Sequence, residues 1–495
     1  MKKNQYTRRE FMKLTAAGVL AISASGCGLI FRKQKPNFVF ILIDDLGWKD
    51  VGVYGSCFYE TPHIDRLSAQ GMRFTDAYAA SPVCSPTRAS ILTGKHPARV
   101  GITDWIPGVD PGNRQLLGTE DKHQLPLKEA TIAETLKQYG YVTGFFGKWH
   151  LGDKGYHPEQ QGFDVNKGGH WAGQPASYFY PYKNDRNRWD VPGLEGGEKG
   201  EYLTDRLTDE SISFIRNNQE NPFFLYLSHY AVHTPIQSKP ALTEKYRQKF
   251  KNYKTADGPD YLPERNSRSK QKQDDPDYAG MLQSVDESVG RIMEELENLR
   301  LSKNTIIIFM SDNGGLTTLP GKWESPTSVV PLRAGKGWLY EGGIREPMII
   351  KWPGVTEPGS ICQEPVISMD FYPTILAMAD LSLLPNQHID GLSLVPLLKK
   401  QGNLHRNALC WHYPHYHGSG NTPSAAERAG NYKLIEWFED GSLELYDLEK
   451  DIGEQNNLSE SIPEKTAELH TMMIKWRDEV GAKLPLQNSA YKKRD

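Results

Sequence analysis

The stretch NFVFILIDD, residues 37–45, decides the fold class of this sequence. Six apolar residues follow Asn37 without interruption, and the run ends at Asp44 and Asp45. A continuous apolar run of this length is typical of a strand that is buried on both faces of a parallel sheet, because a half-exposed strand would alternate. Three further runs have the same character and also end in polar clusters, at residues 141–146, 222–227 and 305–310.

Helical patterns lie between these predicted strands. Residues 278–299 repeat apolar side chains at helical spacing, and residues 131–139 carry a shorter pattern of the same kind. Strands that alternate with helices predict an α/β fold with a large, mostly parallel central sheet flanked by helices. Ligands gather at the carboxyl ends of the strands in such a sheet, and all four polar clusters stand there.

The chain is predicted to contain a large domain, residues 37–400, and a smaller C-terminal subdomain, residues 401–495. After Leu398 the sequence changes to short alternating segments at 432–438 and 443–448, followed by an amphipathic stretch at 464–476. This pattern predicts an α+β unit with an antiparallel sheet and a terminal helix. The polar residues 252–277 are interpreted as a surface insertion rather than a binding patch.

The composition excludes several classes of protein. Hydrophobic residues make up 38% and charged residues 24% of the 495 positions, which excludes collagen, coiled coil and wholesale disorder. Lys and Arg number 58 against 61 for Asp and Glu, so the net charge of -3 gives no electrostatic footprint for nucleic acid. A specific site must therefore carry the function.

The amino terminus, residues 1–26, is predicted to be an export signal. A basic segment precedes an apolar run at 14–26, which is shorter than the ~20 residues that span a bilayer. TRREFMK at 7–13 resembles the twin-arginine pattern, and Cys27 follows residues that resemble a bacterial lipobox. We expect an exported bacterial protein, with 27–36 as a linker. The protein would lie in the periplasm if Cys27 is only a chance cysteine. If Cys27 is lipidated, the lipid alone would anchor the protein to the membrane.

The five cysteines do not indicate a disulfide framework. If Cys27 and Cys84 have other roles, Cys57, Cys362 and Cys410 remain, an odd and sparse set on which no disulfide framework can be based. No CxxC pair or close Cys/His cluster indicates zinc.

The most specific motif is CSPTRASILTG, residues 84–94. Ser85 is a good N-cap and Pro86 a good first helical residue, so Cys84 is predicted to lie just before a helix. The free N–H groups and the dipole at a helix start attract sulfate or phosphate, and Arg88 adds a positive charge one turn later. Alone, the pattern would also allow a nucleophilic thiolate.

A second set of residues supplies hard oxygen ligands. Asp44 and Asp45 end one predicted strand, and Asp312 and Asn313 follow another within SDNGG, residues 311–315. Oxygen donors of this kind suit Ca²⁺ or Mg²⁺ rather than a soft metal, and we favour Ca²⁺. A hard cation also requires an oxygen nucleophile, which an unmodified Cys84 does not provide.

Together these motifs resemble the type I sulfatases of the alkaline phosphatase superfamily. The resemblance rests on 84–94 and on GYVTGFFGKWHLG, 140–152, and it includes His233 in HTP and Lys336 before GWLYEGGIREP. It implies that 37–400 is a sulfatase catalytic domain and that a sulfatase-maturation enzyme oxidises Cys84 to Cα-formylglycine. The hydrated aldehyde would present oxygen to calcium and attack the sulfur of a sulfate ester.

The resemblance also implies a role for each matching residue. Arg88 would hold the formylglycine, Lys148 and Lys336 would neutralise sulfate oxygens, His233 would be the general acid, and His150 would help to expel sulfate. The predicted metal ligands are Asp44, Asp45, Asp312, Asn313 and the modified Cys84. Taken singly, such residues are more often caps, turns or solvated charges, but their joint occurrence favours the catalytic interpretation. His229 is interpreted as structural.

The substrate pocket is predicted from WHYPHYH, residues 411–417. Aromatic faces stack on sugars and histidine binds hydroxyl groups, so His412, His415 and His417 are candidate ligands of a sulfated saccharide. The alternative is a packed strand and loop. Weaker candidates on the same grounds are Asp104, Trp105, His170 and Trp171.

Two other functions are open at this point. One is a phosphoesterase or phosphonate hydrolase of the same superfamily, and the other is a non-catalytic glycan-binding lipoprotein. Lys148 with His150, and the CxPxR pattern at 84–88, favour sulfate over phosphate, and the complete catalytic set disfavours a binding protein.

Overall fold

The computed structural model describes residues 34–108, 112–186, 191–255 and 257–492. The predicted export signal, Cys27 and most of the predicted linker lie outside these ranges. Within the described residues no helix has the length and apolar character needed to cross a membrane.

The described ranges contain eighteen strands. In chain order they are β1 (Asn37–Ile43), β2 (Met72–Tyr78), β3 (Leu116–Leu117), β4 (Val142–Gly147), β5 (Val165–Lys167), β6 (Phe223–Ser228), β7 (Tyr261–Glu264), β8 (Ser267–Lys270), β9 (Thr305–Ser311), β10 (Thr318–Leu319), β11 (Arg345–Lys351), β12 (Ser360–Cys362), β13 (Val366–Ile367), β14 (Leu409–Tyr413), β15 (Ser424–Ala429), β16 (Tyr432–Trp437), β17 (Leu443–Asp447) and β18 (Leu486–Gln487).

The helices lie mainly between the strands of the central sheet. The α-helices described are Pro62–Gln70, Cys84–Thr93, Pro97–Val100, Ile132–Gln138, Leu203–Asn217, Pro240–Asn252, Pro276–Asn298, Glu341–Ile344, Phe371–Met378, Val395–Leu398 and Pro463–Val480, with 3-10 turns at Gly52–Tyr54, Pro158–Gln161, Ser302–Asn304 and Ser368–Asp370.

One large sheet organises the molecule. Its strand order is β12-β2-β11-β9-β1-β6-β4-β5, and β13 pairs with the far end of β2. Only β11 runs antiparallel to its neighbours, β2 and β9, and the other pairs are parallel. The predicted α/β fold with a mostly parallel central sheet is confirmed.

The central strand β1 shows why its apolar run is continuous. All seven of its residues are buried, and alternate side chains point to opposite faces of the sheet. Val39 and Ile41 join the core layer that includes helix Pro276–Asn298, while Phe38 and Phe40 join the layer that includes helix Phe371–Met378. A strand covered by helices on both faces is apolar through most of its length, and its one polar residue, Asn37, stands at the first position with its amide hydrogen-bonded to Thr305 and Phe223.

The C-terminal part has the predicted α+β character. Strands β14, β15, β16 and β17 form an antiparallel sheet in sequential order, and helix Pro463–Val480 packs against it through Leu469 and Met473. The polar stretch 252–277 is partly ordered, because β7 and β8 form a hairpin that β10 extends into a three-stranded sheet. Arg333 makes a forked ion pair with Glu264 of this hairpin.

The start of the signature helix differs from the sequence prediction by one or two residues. The helix begins at Cys84 itself, with Val83 at the N-cap, rather than after Ser85. The Ser85 hydroxyl does not cap the helix because it donates to the carbonyl oxygen of His150, 2.9 Å away, and accepts from the backbone N–H of Ile106. The prediction that Ser85 is the N-cap was therefore wrong.

Candidate active site

Four adjacent parallel strands bring the predicted catalytic residues to one edge of the sheet. In the order β9-β1-β6-β4, each strand ends at a polar cluster. Asp312 follows β9, Asp44 follows β1, His233 follows β6 and Lys148 follows β4. Since parallel strands end at the same edge, residues almost 300 positions apart in sequence become neighbours.

The acidic residues form a compact group that His233 joins. Carboxylate oxygens of Asp44 and Asp45 and a ring nitrogen of His233 lie within 4.8 Å of one another. The amide nitrogen of Asn313 donates to Asp45 Oδ1 at 2.8 Å, and the backbone N–H of Asp45 donates to Asp312 Oδ1. Two buried acceptors, Asp44 Oδ1 and Asn313 Oδ1, receive no hydrogen bond. Unpartnered buried oxygens in an acidic cluster fit a hard cation.

Three basic side chains surround this acidic group. Lys148 Nζ lies 2.7 Å from Asp44 Oδ2, and Lys336 Nζ lies 2.7 Å from Asp45 Oδ1. Arg88 donates through Nε to Asp312 Oδ2 at 2.8 Å, and its Nη1 donates to the carbonyl oxygen of Lys148. All of these side chains are buried.

The two adjacent aspartates respond differently to burial. Burial raises the pKa of the Asp44 carboxyl well above its usual value, although Lys148 opposes the shift. Burial also acts to raise the pKa of Asp45, but Lys336 and His233 outweigh it and hold that pKa below its usual range. Asp45 is therefore the more strongly ionised of the pair.

His150 faces the side chain of Cys84. Its Nδ1 lies 3.2 Å from Cys84 Sγ, and its Nε2 contacts the carbonyl oxygen of Ile106. A carbonyl oxygen only accepts hydrogen bonds, so Nε2 carries the proton and Nδ1 presents a lone pair to Cys84. Burial lowers the pKa of His150 well below its usual value, and Lys148 adds to the shift. The neutral ring can therefore act as a base toward whatever group residue 84 carries.

His233 is oriented in a comparable way. Its Nδ1 lies 3.0 Å from the carbonyl oxygen of Thr234, and its Nε2 lies 3.7 Å from Asp45 Oδ2. Burial lowers the pKa of His233, and Lys336 lowers it further. His229 is also buried, but its Nε2 lies 2.9 Å from the hydroxyl of Ser288 on helix Pro276–Asn298, apart from the acidic group.

The three histidines predicted as sugar ligands lie in three different environments. His417 packs beside Gly337, next to Lys336, and burial followed by the charge of Lys336 lowers its pKa to about 3. His415 Nε2 lies 2.8 Å from the hydroxyl of Thr103. His412 instead lies 2.8 Å from the carbonyl oxygen of Lys483, with its ring against Phe438. The fold thus brings His417 to the catalytic group and leaves His412 in the packing of the C-terminal part.

The weaker candidates lie on two loops around His150. Asp104 accepts a hydrogen bond from the Tyr413 hydroxyl at 2.8 Å and belongs to the loop that also supplies the carbonyl of Ile106. The backbone N–H of His150 donates to the carbonyl oxygen of His170. Beside His170, the Trp171 side chain is 41% exposed, and Trp105 packs against the core layer that contains Trp411.

Sequence reasoning missed the groups that orient the catalytic side chains. The Ser228 hydroxyl accepts a hydrogen bond from Arg88. Its position at the end of β6, where the other predicted site residues also follow their strands, could have identified it from the sequence. The carbonyl oxygen of Ile106 fixes the tautomer of His150, and no sequence pattern marks it because every residue has such an atom.

Fold and site together define an α/β protein in which buried basic side chains surround a compact acidic group at the carboxyl edge of a mostly parallel sheet. A sequence model of the sulfatase family matches residues 36–381, and the model described as N-sulphoglucosamine sulphohydrolase, C-terminal, matches residues 334–479.

Individual proteins show the same relationship. N-acetylgalactosamine-6-sulfatase of Canis lupus familiaris is 33% identical over 480 residues, which cover 92% of this chain and 82% of that protein. A sulfatase of Formosa agariphila is 32% identical over 94% of this chain and 92% of its own length. The crystal structure of Ps i-CgsB in complex with k-i-k-neocarrahexaose superposes with a TM-score of 0.74 at 32% identity, covering 92% of this chain and 96% of that one. The chain belongs to the sulfatase family and is a sulfuric ester hydrolase.

Proposed function

We propose that this enzyme removes sulfate groups from a sulfated glycan, using a Cα-formylglycine derived from Cys84 and a bound Ca²⁺. The observation that carries the proposal is the 3.2 Å approach of His150 Nδ1 to Cys84 Sγ, inside a buried ring of carboxylates and cations. A base facing residue 84 is what turnover of a covalent sulfate ester at that residue requires.

The proposed calcium ligands are Asp44, Asp45, Asp312, Asn313 and the modified residue 84. Their oxygen donors suit Ca²⁺, and the unpartnered Asp44 Oδ1 and Asn313 Oδ1 support a cation at this position. When bound, the ion supplies Lewis-acid polarisation of sulfate and nucleophile oxygens. The formylglycine, as its hydrate, supplies the oxygen nucleophile that a thiol does not.

The other side chains act on charge and protons. Lys148 and Lys336 neutralise the oxygens of the incoming sulfate, and Arg88 holds Asp312 in place through its fork. His233 is the general acid that the resemblance implies: burial and Lys336 keep its ring neutral in the free enzyme, so it takes up a proton as the anionic substrate enters and then donates that proton to the leaving sugar oxygen. His150 removes a proton from the second hydroxyl of the hydrated residue 84, so that sulfate leaves and the aldehyde returns.

The glycan substrate is supported by the relatives. One is an N-acetylgalactosamine-6-sulfatase, and another is Ps i-CgsB, whose structure contains k-i-k-neocarrahexaose. His415 and His417 are the proposed sugar ligands, since His417 packs beside Gly337, next to Lys336, and His415 contacts Thr103 in the loop that also supplies the carbonyl of Ile106. We propose that residues 1–26, with their basic segment and following apolar run, direct export and that Cys27 is a candidate for lipidation.

Mass spectrometry of the peptide that contains Cys84 tests the proposal most directly. We expect an aldehyde at residue 84 in protein made with a sulfatase-maturation enzyme, and a thiol without it. Cys84→Ala should abolish hydrolysis of sulfated sugars, while Cys57→Ala, at an exposed cysteine, should not. Full activity of Cys84→Ala, or hydrolysis of phosphate but not sulfate esters, would refute the proposal.

A further inference from the structure

A cavity of about 640 Å³ lies outside the predicted catalytic group, and none of the predicted catalytic residues lines it. Its wall consists of residues 121–124 and 126–128 together with Tyr156. The volume falls within the roughly 300–1,000 Å³ that ligand pockets occupy. The proposed function leaves this cavity without a role.

Two series of contacts connect the wall of the cavity to the predicted catalytic group. The backbone N–H of Leu125 donates to the carbonyl oxygen of Leu151 at 2.9 Å, and Gly152 packs against Gln124 and Tyr156. Gly152 is two residues beyond His150, a span of at most about 7 Å along the backbone. The wall of the cavity therefore packs directly against the segment that follows His150.

The second series of contacts passes through the loop around Thr103. Asp121 Oδ1 accepts from the Thr103 hydroxyl at 3.1 Å, and the same hydroxyl lies 2.8 Å from His415 Nε2. Asp104, the next residue, hydrogen-bonds Tyr413. The cavity thus lies on the side of the site where a sugar ligand, His415, is proposed.

The charge of the cavity favours an anion. Lys122, His123 and Lys128 are exposed at its surface, while the only carboxylate of the lining, Asp121, turns inward and its Oδ2 is buried. Lys122 Nζ donates to the carbonyl oxygen of Val100 at 2.7 Å, which fixes the position of the ammonium group. An ammonium group has three N–H donors, so others remain for a ligand. Lys128 forms no ion pair in the described part of the chain.

The cavity also presents groups that suit a sugar ring. Tyr156 lines it with a half-buried aromatic side chain, and the backbone of this residue is fixed by a hydrogen bond from the Trp149 indole at 2.9 Å. Gln124 adds an exposed amide that can bond hydroxyl groups. An aromatic face beside amide and ammonium donors matches a pyranose that carries an anionic substituent.

We propose that this cavity binds a neighbouring sugar of the glycan through a second sulfate group, so that the enzyme selects substrates with sulfate on adjacent residues. The inference rests on the proposed function, because it assumes a glycan whose hydrolysed sulfate occupies the catalytic centre. Lys128 and Lys122 would bind the second sulfate, and Tyr156 would contact the ring.

The test is a binding measurement in the Cys84→Ala background, where turnover is removed. The probe is a dextran tetrasaccharide with sulfate on each sugar, titrated by calorimetry, with the unsulfated tetrasaccharide as the reference ligand. Lys128→Glu should weaken binding of the sulfated probe about tenfold, since it replaces an attraction by a repulsion. The matched control is Lys303→Glu, an exposed lysine at the opposite edge of the sheet, where β9 begins.

Three results would overturn the inference. The first is that the Lys128→Glu and Lys303→Glu proteins bind the sulfated probe with equal affinity. The second is that the Cys84→Ala parent binds the sulfated and unsulfated probes with equal affinity, and the third is that this parent does not bind the sulfated probe. The proposed function is judged separately, by hydrolysis of sulfated sugars by the unmutated enzyme, so the two can fail independently.

Discussion

Arg88→Lys is the substitution that best tests how the site is built. Arg88 is buried and binds Asp312 through Nε and Nη2, at 2.8 and 2.7 Å, and the Lys148 carbonyl and Ser228 hydroxyl through Nη1. Lysine keeps the positive charge, but all of its N–H donors are on the single Nζ atom. One ammonium group therefore cannot reach Asp312 and also the Lys148 carbonyl and the Ser228 hydroxyl.

The size of the effect follows from the contacts that are lost. A hydrogen bond to a charged group contributes about 1.5–3 kcal/mol, and lysine can retain about half of the four contacts of Arg88. The loss of two contacts lowers the free energy of unfolding by about 3–6 kcal/mol, which overlaps the range of about 3–5 kcal/mol measured when a buried ion pair is broken. Because Asp312 also loses its fixed position, we expect kcat/KM for a sulfate ester to fall about 100-fold or more.

The assays are a thermal denaturation scan and steady-state hydrolysis of a sulfated sugar. The control is Arg216→Lys, since Arg216 makes the same kind of fork with Glu295 but is exposed. Its denaturation midpoint and its activity should stay at the values of the unmutated enzyme. If Arg88→Lys also keeps both, the guanidinium fork does not position Asp312 and the reasoning is refuted.

Three further predictions concern metal, pH and substrate. A strong chelator should abolish sulfate hydrolysis and lower the denaturation midpoint, and Ca²⁺ should restore both in the unmutated enzyme but not in Asp312→Ala. Burial raises the pKa of Asp104 from 3.8 to about 8, so between these values the folded protein keeps a proton on Asp104 that the unfolded chain releases, and the denaturation midpoint should fall as pH rises. Asp104→Asn should flatten that fall between pH 5 and pH 8. His417→Ala should reduce kcat/KM for a sulfated saccharide more than for an aryl sulfate, whereas His412→Ala should lower the midpoint and affect both substrates equally.

Local patterns in the sequence predicted the framework well. The four apolar runs became β1, β4, β6 and β9, each within one or two residues of its predicted bounds, because a strand buried on both faces is apolar through most of its length. The helix predicted at 278–299 was found at Pro276–Asn298, with Asp275 as its cap. Such features depend on neighbours within one element, which a sequence displays directly.

The clustering of the predicted catalytic residues could also be expected from the sequence, for a different reason. Its residues end adjacent strands or begin a helix, and a parallel sheet gathers those ends at one edge whatever the details of packing. The resemblance to sulfatases added the roles, and the geometry of His150 beside Cys84 is compatible with them.

The tertiary structure alone decided which of the clustered histidines face the catalytic centre. Residues 412, 415 and 417 are neighbours in sequence, yet His412 packs against Phe438 while His417 lies beside Lys336. It also decided that the hydroxyl of Ser85 binds His150 instead of capping its helix, and that the carbonyl of Ile106 sets the tautomer of His150. These contacts join segments that are 44 to 65 positions apart. Local propensity determines where an element begins and which face is apolar, but the partner of a side chain depends on how distant segments pack, and no single segment encodes that.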